Sequence, residues 1–225
     1  MKPNRYEKME RKKKIVSFPC TVQTIKKFTD AKNLINYFNF NMRKNELDYY
    51  CSELFNTFLR QVLKLGTGKF KYCKTIPYIM SAKHCIPNAM TYSLLFQICE
   101  FPDGNGIDGY SYFEKLKSTH YFSIDLIKKC LKLQKKNGSV TFAENLFDIL
   151  ISRTEITINE INDLIEVNIL CSDGTADKVN TIYSTLKQIE LYPTIETLGL
   201  CIKAQAKKKD GDAKIAFDTY MKYIQ

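Results

Sequence analysis

Cysteine and histidine are the side chains best suited to ligating a metal or attacking a substrate, and this 225-residue sequence has eight of the first and two of the second. Their spacing serves neither chemistry. Cys20, Cys51, Cys73, Cys85, Cys99, Cys130, Cys171 and Cys201 include no C-x-x-C pair, whereas a structural zinc site draws its ligands in pairs from short loops that wrap the ion. Most of them fall at apolar positions of helical patterns, where a thiol acts as a small buried hydrophobe, reduced as suits a reducing compartment. His84 and His120 lie far apart, with no nucleophile or carboxylate at a catalytic spacing. Both are expected in turns, as is Cys85. Asp103, Asp108, Asp173, Asp177, Asp210 and Asp212 recur near turns between helices, where an aspartate caps a helix. Strung along the chain, they do not converge as two-metal chemistry requires. A G-x-x-x-x-G-K phosphate loop is absent. The expectation is a chain with no catalytic site, no metal and no cofactor.

What remains is charge. The sequence holds 34 Lys and Arg against 24 Asp and Glu, a net charge of +10, which favours a polyanionic partner. Its 44% hydrophobic and 12% aromatic content excludes global disorder. No run of eighteen or more apolar residues occurs, so no membrane-spanning helix and no membrane partner are expected. "MKPNRYEKMERKKK", residues 1–14, is expected to be a basic, disordered arm ahead of a single domain spanning 15–225. It lacks the apolar core of a secretory signal, and Glu7 and Glu10 are foreign to an organelle transit peptide. By composition the arm suits the nucleus or cytoplasm.

The elements that must position these charges repeat. Gly68, Gly104, Gly138, Gly174 and Gly211 follow one another at steps of 36, 34, 36 and 37 residues, the length of two antiparallel helices and two turns. Five residues after each glycine stands Cys73, Gly109, Ala143, Val179 or Ala216, nearly all small. Nine after stands Pro77, Phe113, Phe147, Tyr183 or Tyr220, preceded by Ile76, Tyr112, Leu146, Ile182 or Thr219. Twelve after stands Met80, Leu116, Leu150, Leu186 or Tyr223. Offsets of 5, 8, 9 and 12 lie on one helix face. An earlier copy without its glycine runs from Ala31 through Leu34, Ile35 and Phe38, making six second helices. The first helices precede the glycines, with stripes such as Phe55, Phe58, Leu59 and Val62, or Tyr92, Leu95, Phe96 and Cys99. Pro77 is out of place, because inside a second helix it removes a hydrogen bond and bends it.

"PNAMTYSLLF", followed by a glycine, a small residue, a hydrophobic–aromatic pair and a Leu or Met, resembles the pentatricopeptide repeat over roughly residues 20–225. The Pro turn recurs at Pro87-Asn88 and Pro193-Thr194, with Ser123 and Thr157 in its place elsewhere. A tetratricopeptide repeat would want alanine where this chain has Met80, Leu116, Leu150 and Leu186. The resemblance implies an all-α, right-handed α-solenoid of about five to six helix-turn-helix repeats, whose first helices line a concave, RNA-binding groove. It also implies that the residue after the first-helix aromatic, with the closing residue of the unit, reads one base per repeat. Carried over, these are Asn56 with Asn88, Ser93, Lys128, Asn162 with Thr194, and Gly199; Asn56 with Asn88 would favour a pyrimidine. Met90 takes the place of an apolar side chain that stacks on a base. Lys128 and Gly199 do not suit base reading.

One turn along the same face come Arg60, Gln97, Lys132, Glu166 and Lys203, then Lys64, Lys136 and Lys207. With Lys128 these cations are expected to face phosphates, with Glu166 opposing them. "GTADKVNTIYSTLKQ", after loosely spaced repeats, is similar to the repeat region of protein-only ribonuclease P. That likeness implies a precursor transfer RNA as partner, in a chain lacking the enzyme's zinc site and acidic nuclease domain. By family habit the compartment is the mitochondrion or another organelle. Two rival readings stand beside single-stranded or tRNA-like RNA binding in RNA processing. One is a nuclease-less fragment of that ribonuclease; the other is a scaffold subunit of a ribosome-like or other large assembly. The last unit, "AFDTYMKYIQ", has no polar capping helix after it, so a protein partner is expected to cover it.

Overall fold

Short polar side chains set where the helices begin. In the computed structural model, which describes residues 22–44, 51–66, 70–153, 156–186 and 188–224, six helix pairs follow one another. They are α1 (Val22–Lys26) with α2 (Ala31–Lys44); α3 (Ser52–Leu65) with α4 (Phe70–Cys73) and α5 (Ile76–Ala82); and α6 (Ala89–Cys99) with α7 (Gly106–Leu116). Then come α8 (Ile124–Leu133) with α9 (Val140–Ile151), α10 (Ile158–Leu170) with α11 (Ala176–Thr185), and α12 (Ile195–Lys207) with α13 (Ala213–Ile224). No strand occurs among the described residues. The arm at 1–14, Cys20 and Gly68 lie outside them.

Asn88, Ser123, Thr157 and Thr194 each cap a first helix with the side-chain oxygen. At Asn88 and Thr194 the bond is returned by a threonine three residues on, Thr91 and Thr197, and at Thr157 by Glu160. These are capping boxes, each satisfying two orphan amides of the first turn. His84 and Glu190 end second helices at φ 55° and 57°. Behind them Cys85 N–H donates to the Met80 carbonyl and Leu191 N–H to that of Leu186, the Schellman closure that turns the chain toward the next cap. That turn is the place of His84 and Cys85.

First helices pack on first helices, α1 on α3, α3 on α6, α8 on α10 and α10 on α12, while α6 and α8 touch only sparsely. Each second helix in the later pairs wedges between two first helices: α7 between α6 and α8, α9 between α8 and α10, α11 between α10 and α12. The residues at the periodic offsets fill these seams. Ala143 and Val179, Phe113, Met80, Leu116, Leu150 and Leu186 are buried. In the pair beginning at α8, Leu146 is sealed while the following Phe147 is only half-buried, so the aliphatic member carries that contact. Phe38 stacks on Phe58 at 4.1 Å and meets Phe55 edge-on at 5.7 Å; burying one such ring is worth about 2–3 kcal/mol.

The glycine period has a steric cause. A Cβ on Gly104 would collide with the Cys99 carbonyl and one on Gly174 with that of Asn168, because the turn leaving each first helix folds back onto the helix end. The residue just before the glycine works at longer range. Asp103 accepts from Phe70 N–H at 2.8 Å, Asp173 from the Ser139 hydroxyl at 2.8 Å and Val140 N–H at 3.0 Å, and Asp210 from Ala176 and Asp177 N–H at 3.0 and 3.1 Å. Each of these aspartates therefore caps the second helix of the preceding pair and ties neighbours together. Hydrogen bonds hold the Asp173 carboxyl below its ordinary value against the opposing effect of burial.

Pro77 does break its helix. The second helix of that pair is interrupted at Lys74 and Thr75, and α5 restarts with Pro77 as its second residue, where a missing N–H leaves no bond unmade.

Candidate nucleic-acid interface

The stacked first helices bring side chains 32 to 35 residues apart into contact, forming a row of polar rungs. Thr91 donates its hydroxyl to the Asn56 side-chain Oδ1 at 2.8 Å, and Asn56 donates through Nδ2 to the Asn88 side chain at 3.3 Å. Thr197 donates to the Asn162 side chain at 2.8 Å in the same way. Between them, Lys128 Nζ sits 2.8 Å from Glu160 Oε1. Burial opposes ionisation of Glu160, yet Lys128 and the Thr157 hydroxyl and N–H hold its carboxyl below the ordinary range. The rungs thus join α3 to α6, α8 to α10 and α10 to α12. Ser93 is half-buried on the wall of a small cleft that also includes Gln97, Tyr121 and Lys129. Gly199 faces open space and offers no side chain.

The rungs are not equally satisfied. Asn56 and Asn162 are both almost fully buried, at 2% and 5% exposure. Asn56 uses both ends of its amide, but the Asn162 Nδ2 has no acceptor. Both caps engage the threonine three residues on, but the Asn88 Oδ1 also accepts from Asn56, and no equivalent bond joins Asn162 to Thr194. Asn162 lines a cleft of about 350 Å³ that crosses three successive first helices, with Lys132, Lys135, Asn159, Asp163, Glu166 and Glu196. Lys135 pairs there with both Asp163 and Glu166, so Glu166 is compensated. Met90 is half-buried and accepts a contact from the Tyr121 hydroxyl at 3.6 Å.

The cations of the predicted stripe divide into two sets. Arg60 pairs with Glu53 at 2.9 Å, Lys128 is held by Glu160, and Lys136 donates to the Glu100 and Phe101 carbonyls at 2.6 and 3.3 Å. Lys136 thereby caps the end of α6; Lys208, not Lys207, does the same for α10 through the Cys171 carbonyl at 2.7 Å. Lys64, Lys132, Lys203 and Lys207 are exposed and pair with no described carboxylate. Lys129, Lys132, Leu133, Lys136 and Glu100 surround a second cavity of about 350 Å³ in the loose contact between α6 and α8.

The rung partners Thr91, Glu160 and Thr197, and the Lys135 cluster, were not singled out from the sequence. Their signal was a spacing of about one repeat from the base-facing positions. Among the described residues no group of three or more His, Cys, Asp or Glu side chains could hold a metal ion, and no helix is long and apolar enough to cross a membrane. Every cysteine among them is free and all but Cys51 are buried. Burial drives the thiols of Cys73 and Cys201 up to about 12, the first with help from Asp103, so neither forms a thiolate nucleophile near neutrality.

No protein-family model matches the sequence, and no curated protein matches it. Among solved structures, the maize pentatricopeptide repeat protein PPR10 superposes with a TM-score of 0.54 at 19% identity over 87% of this chain. The fold is that of a helical-repeat protein. The match spans 27% of the maize chain. Its complex with an 18-nt psaJ RNA element superposes over 98% of this chain with a TM-score of 0.43 at 18% identity.

Proposed function

We propose that this chain binds RNA along its first-helix face and acts in RNA processing or maturation. The observation that carries the reading is the set of exposed first-helix lysines that no described carboxylate neutralises, beside the open cleft that Asn162 lines. Along the first helices Lys64, Lys132, Lys203 and Lys207 supply this uncompensated charge for phosphates, while Asn88, Ser93, Met90 and Thr194 remain the candidate base-facing residues beside Asn56 and Asn162. Arg60, Lys128 and Lys136 contribute to the field with their charges partly committed within the protein. RNA is also the ligand class named for the maize protein. A tRNA-like precursor is the finer proposal: cations outnumber open base-reading groups, which suits recognition of shape over sequence.

The test is a salt titration of binding to a single-stranded RNA pool and to a transfer RNA, using wild type, Lys132→Glu/Lys203→Glu and Asn162→Ala. Losing two phosphate contacts should flatten the log–log salt slope by about 1.4 on single strands. Asn162→Ala should weaken binding with the slope unchanged. A wild type that binds neither RNA overturns the reading. The scaffold alternative rests on α13, where Ile215, Phe217, Tyr220 and Met221 are exposed, and binding to neither RNA would favour it.

A further inference from the structure

The interruption at Pro77 has a consequence on the other layer of the molecule. Tyr72 and Tyr78 are six residues apart, and on an unbroken helix they would diverge by about 120°. With the helix split into α4 and α5, both reach the rim of one cavity of about 420 Å³, walled by Asn39 and Met42 of α2 and by Ile79, Ala82 and Lys83. That volume lies within the roughly 300–1,000 Å³ of small-molecule pockets. Tyr72 is 49% and Tyr78 79% exposed, so two aromatic faces stand in solvent over an apolar floor.

The charge around them is predominantly positive, with Asp103 committed to capping α4 and Asp108 to Lys74. The sequence contains no Asp or Glu from Leu54 to Cys99, nor anywhere in α2, although the chain has 24 acidic residues in all. Lys71 and Lys74 are exposed on α4 and beside it, Lys74 reaching across to Asp108 at 3.8 Å, and Lys83 forms part of the cavity wall. An apolar slot beside exposed tyrosines, with lysines on its border, fits a ligand that is flat, aromatic and anionic. Single-stranded nucleic acid combines these properties, its bases stacking on aromatic rings while lysines meet the phosphates. A protein segment with an acidic, apolar face would use the charge but leaves the paired tyrosine faces unexplained.

We propose that the cavity between α2 and the α4–α5 break is a second RNA contact, at which Tyr72 and Tyr78 stack on bases of a single-stranded segment that lies outside the first-helix groove. It rests on the reading of the chain as an RNA binder, but on different residues. Three variants separate the two sites: Tyr72→Ala/Tyr78→Ala, Tyr72→Phe/Tyr78→Phe, and the groove variant Lys132→Glu/Lys203→Glu. Affinity is read with labelled oligouridylate by fluorescence anisotropy, and photo-crosslinked residues are mapped by mass spectrometry. The alanine pair should lose about tenfold or more, the phenylalanine pair should stay near wild type, and crosslinks should include Tyr72 or Tyr78. Lys71→Glu should weaken binding and lower the salt slope without touching either ring. Unchanged affinity in the alanine pair, with the groove variant impaired, overturns the second contact and leaves the groove standing. Loss in the alanine pair alone leaves the second contact standing and overturns the groove. No binding by any form overturns both.

Discussion

Replacing Lys128 by Asn should destabilise the fold, and adding Glu160→Thr should restore much of the loss. Breaking a buried ion pair by removing one partner is worth about 3–5 kcal/mol when both ions are enclosed. Here Glu160 is 7% exposed, but the Lys128 side chain is 36% exposed, and Glu160 keeps the Thr157 N–H and hydroxyl at 2.9 and 2.5 Å. Solvent screening of Lys128 and those remaining donors reduce the expected cost to about 1–2 kcal/mol. Glu160→Thr alone frees Lys128 to hydrate and should cost about 1 kcal/mol through the weakened cap. The double variant rebuilds the Asn–Thr rung that Asn56–Thr91 and Asn162–Thr197 form at 2.8 Å. Its destabilisation should therefore fall short of the sum of the singles by about 1 kcal/mol or more.

Urea unfolding followed by far-UV circular dichroism measures all four proteins. Because the folded state lowers the Glu160 pKa, its stabilisation is complete above the ordinary value of 4.5 and disappears as pH falls through the lowered value. The non-additivity should be present near neutrality and shrink in acid. Additive singles, or a Lys128→Asn variant as stable as wild type at both pH values, would refute the rung as an energetic link between α8 and α10.

Two further outcomes follow from the caps. Asp173 and Asp210 are both held below 3.8 by hydrogen bonds from helix N-termini, in Asp173 against burial, so stability should fall as pH drops through their lowered values. Asp173→Ala should flatten the acid limb of a melting-temperature-against-pH curve. Asn168 is fully buried with its Oδ1 unpaired, whereas Gln134 and Gln205 at the corresponding places use their Oε1 on Ser139 and Asp212 N–H. Asn168→Gln adds the methylene needed to reach Thr175 and should stabilise by about 1 kcal/mol, read as a higher urea midpoint; a lower one would show the pocket too tight.

The helix pairs and their phase were legible because they arise from short-range causes. A glycine that must clear a carbonyl, a small residue five later and an aliphatic twelve later all lie within one helix-turn-helix, so the repeat registers in the sequence as offsets. The capping roles of Asn88, Ser123, Thr157 and Thr194 are equally local. The Asp-Gly turns were legible only in part. Capping by aspartate was expected, but Asp103, Asp173 and Asp210 serve the helix of the preceding pair, about 33 residues back, and no local pattern states which helix an aspartate will meet.

The same division runs through the interface. By itself the sequence determined the period, the phase of the second helices, a disturbance at Pro77 and which positions lie on the first-helix face, because each depends on backbone geometry over a few residues. Only the tertiary structure decided which charges remain free. Lys132 and Lys203 are open while Lys128 and Lys136 are engaged, and Asn162 lacks the acceptor that Asn56 has. Those outcomes depend on side-chain and backbone groups about a full repeat away, brought into hydrogen-bonding range by the stacking of one helix pair on the next.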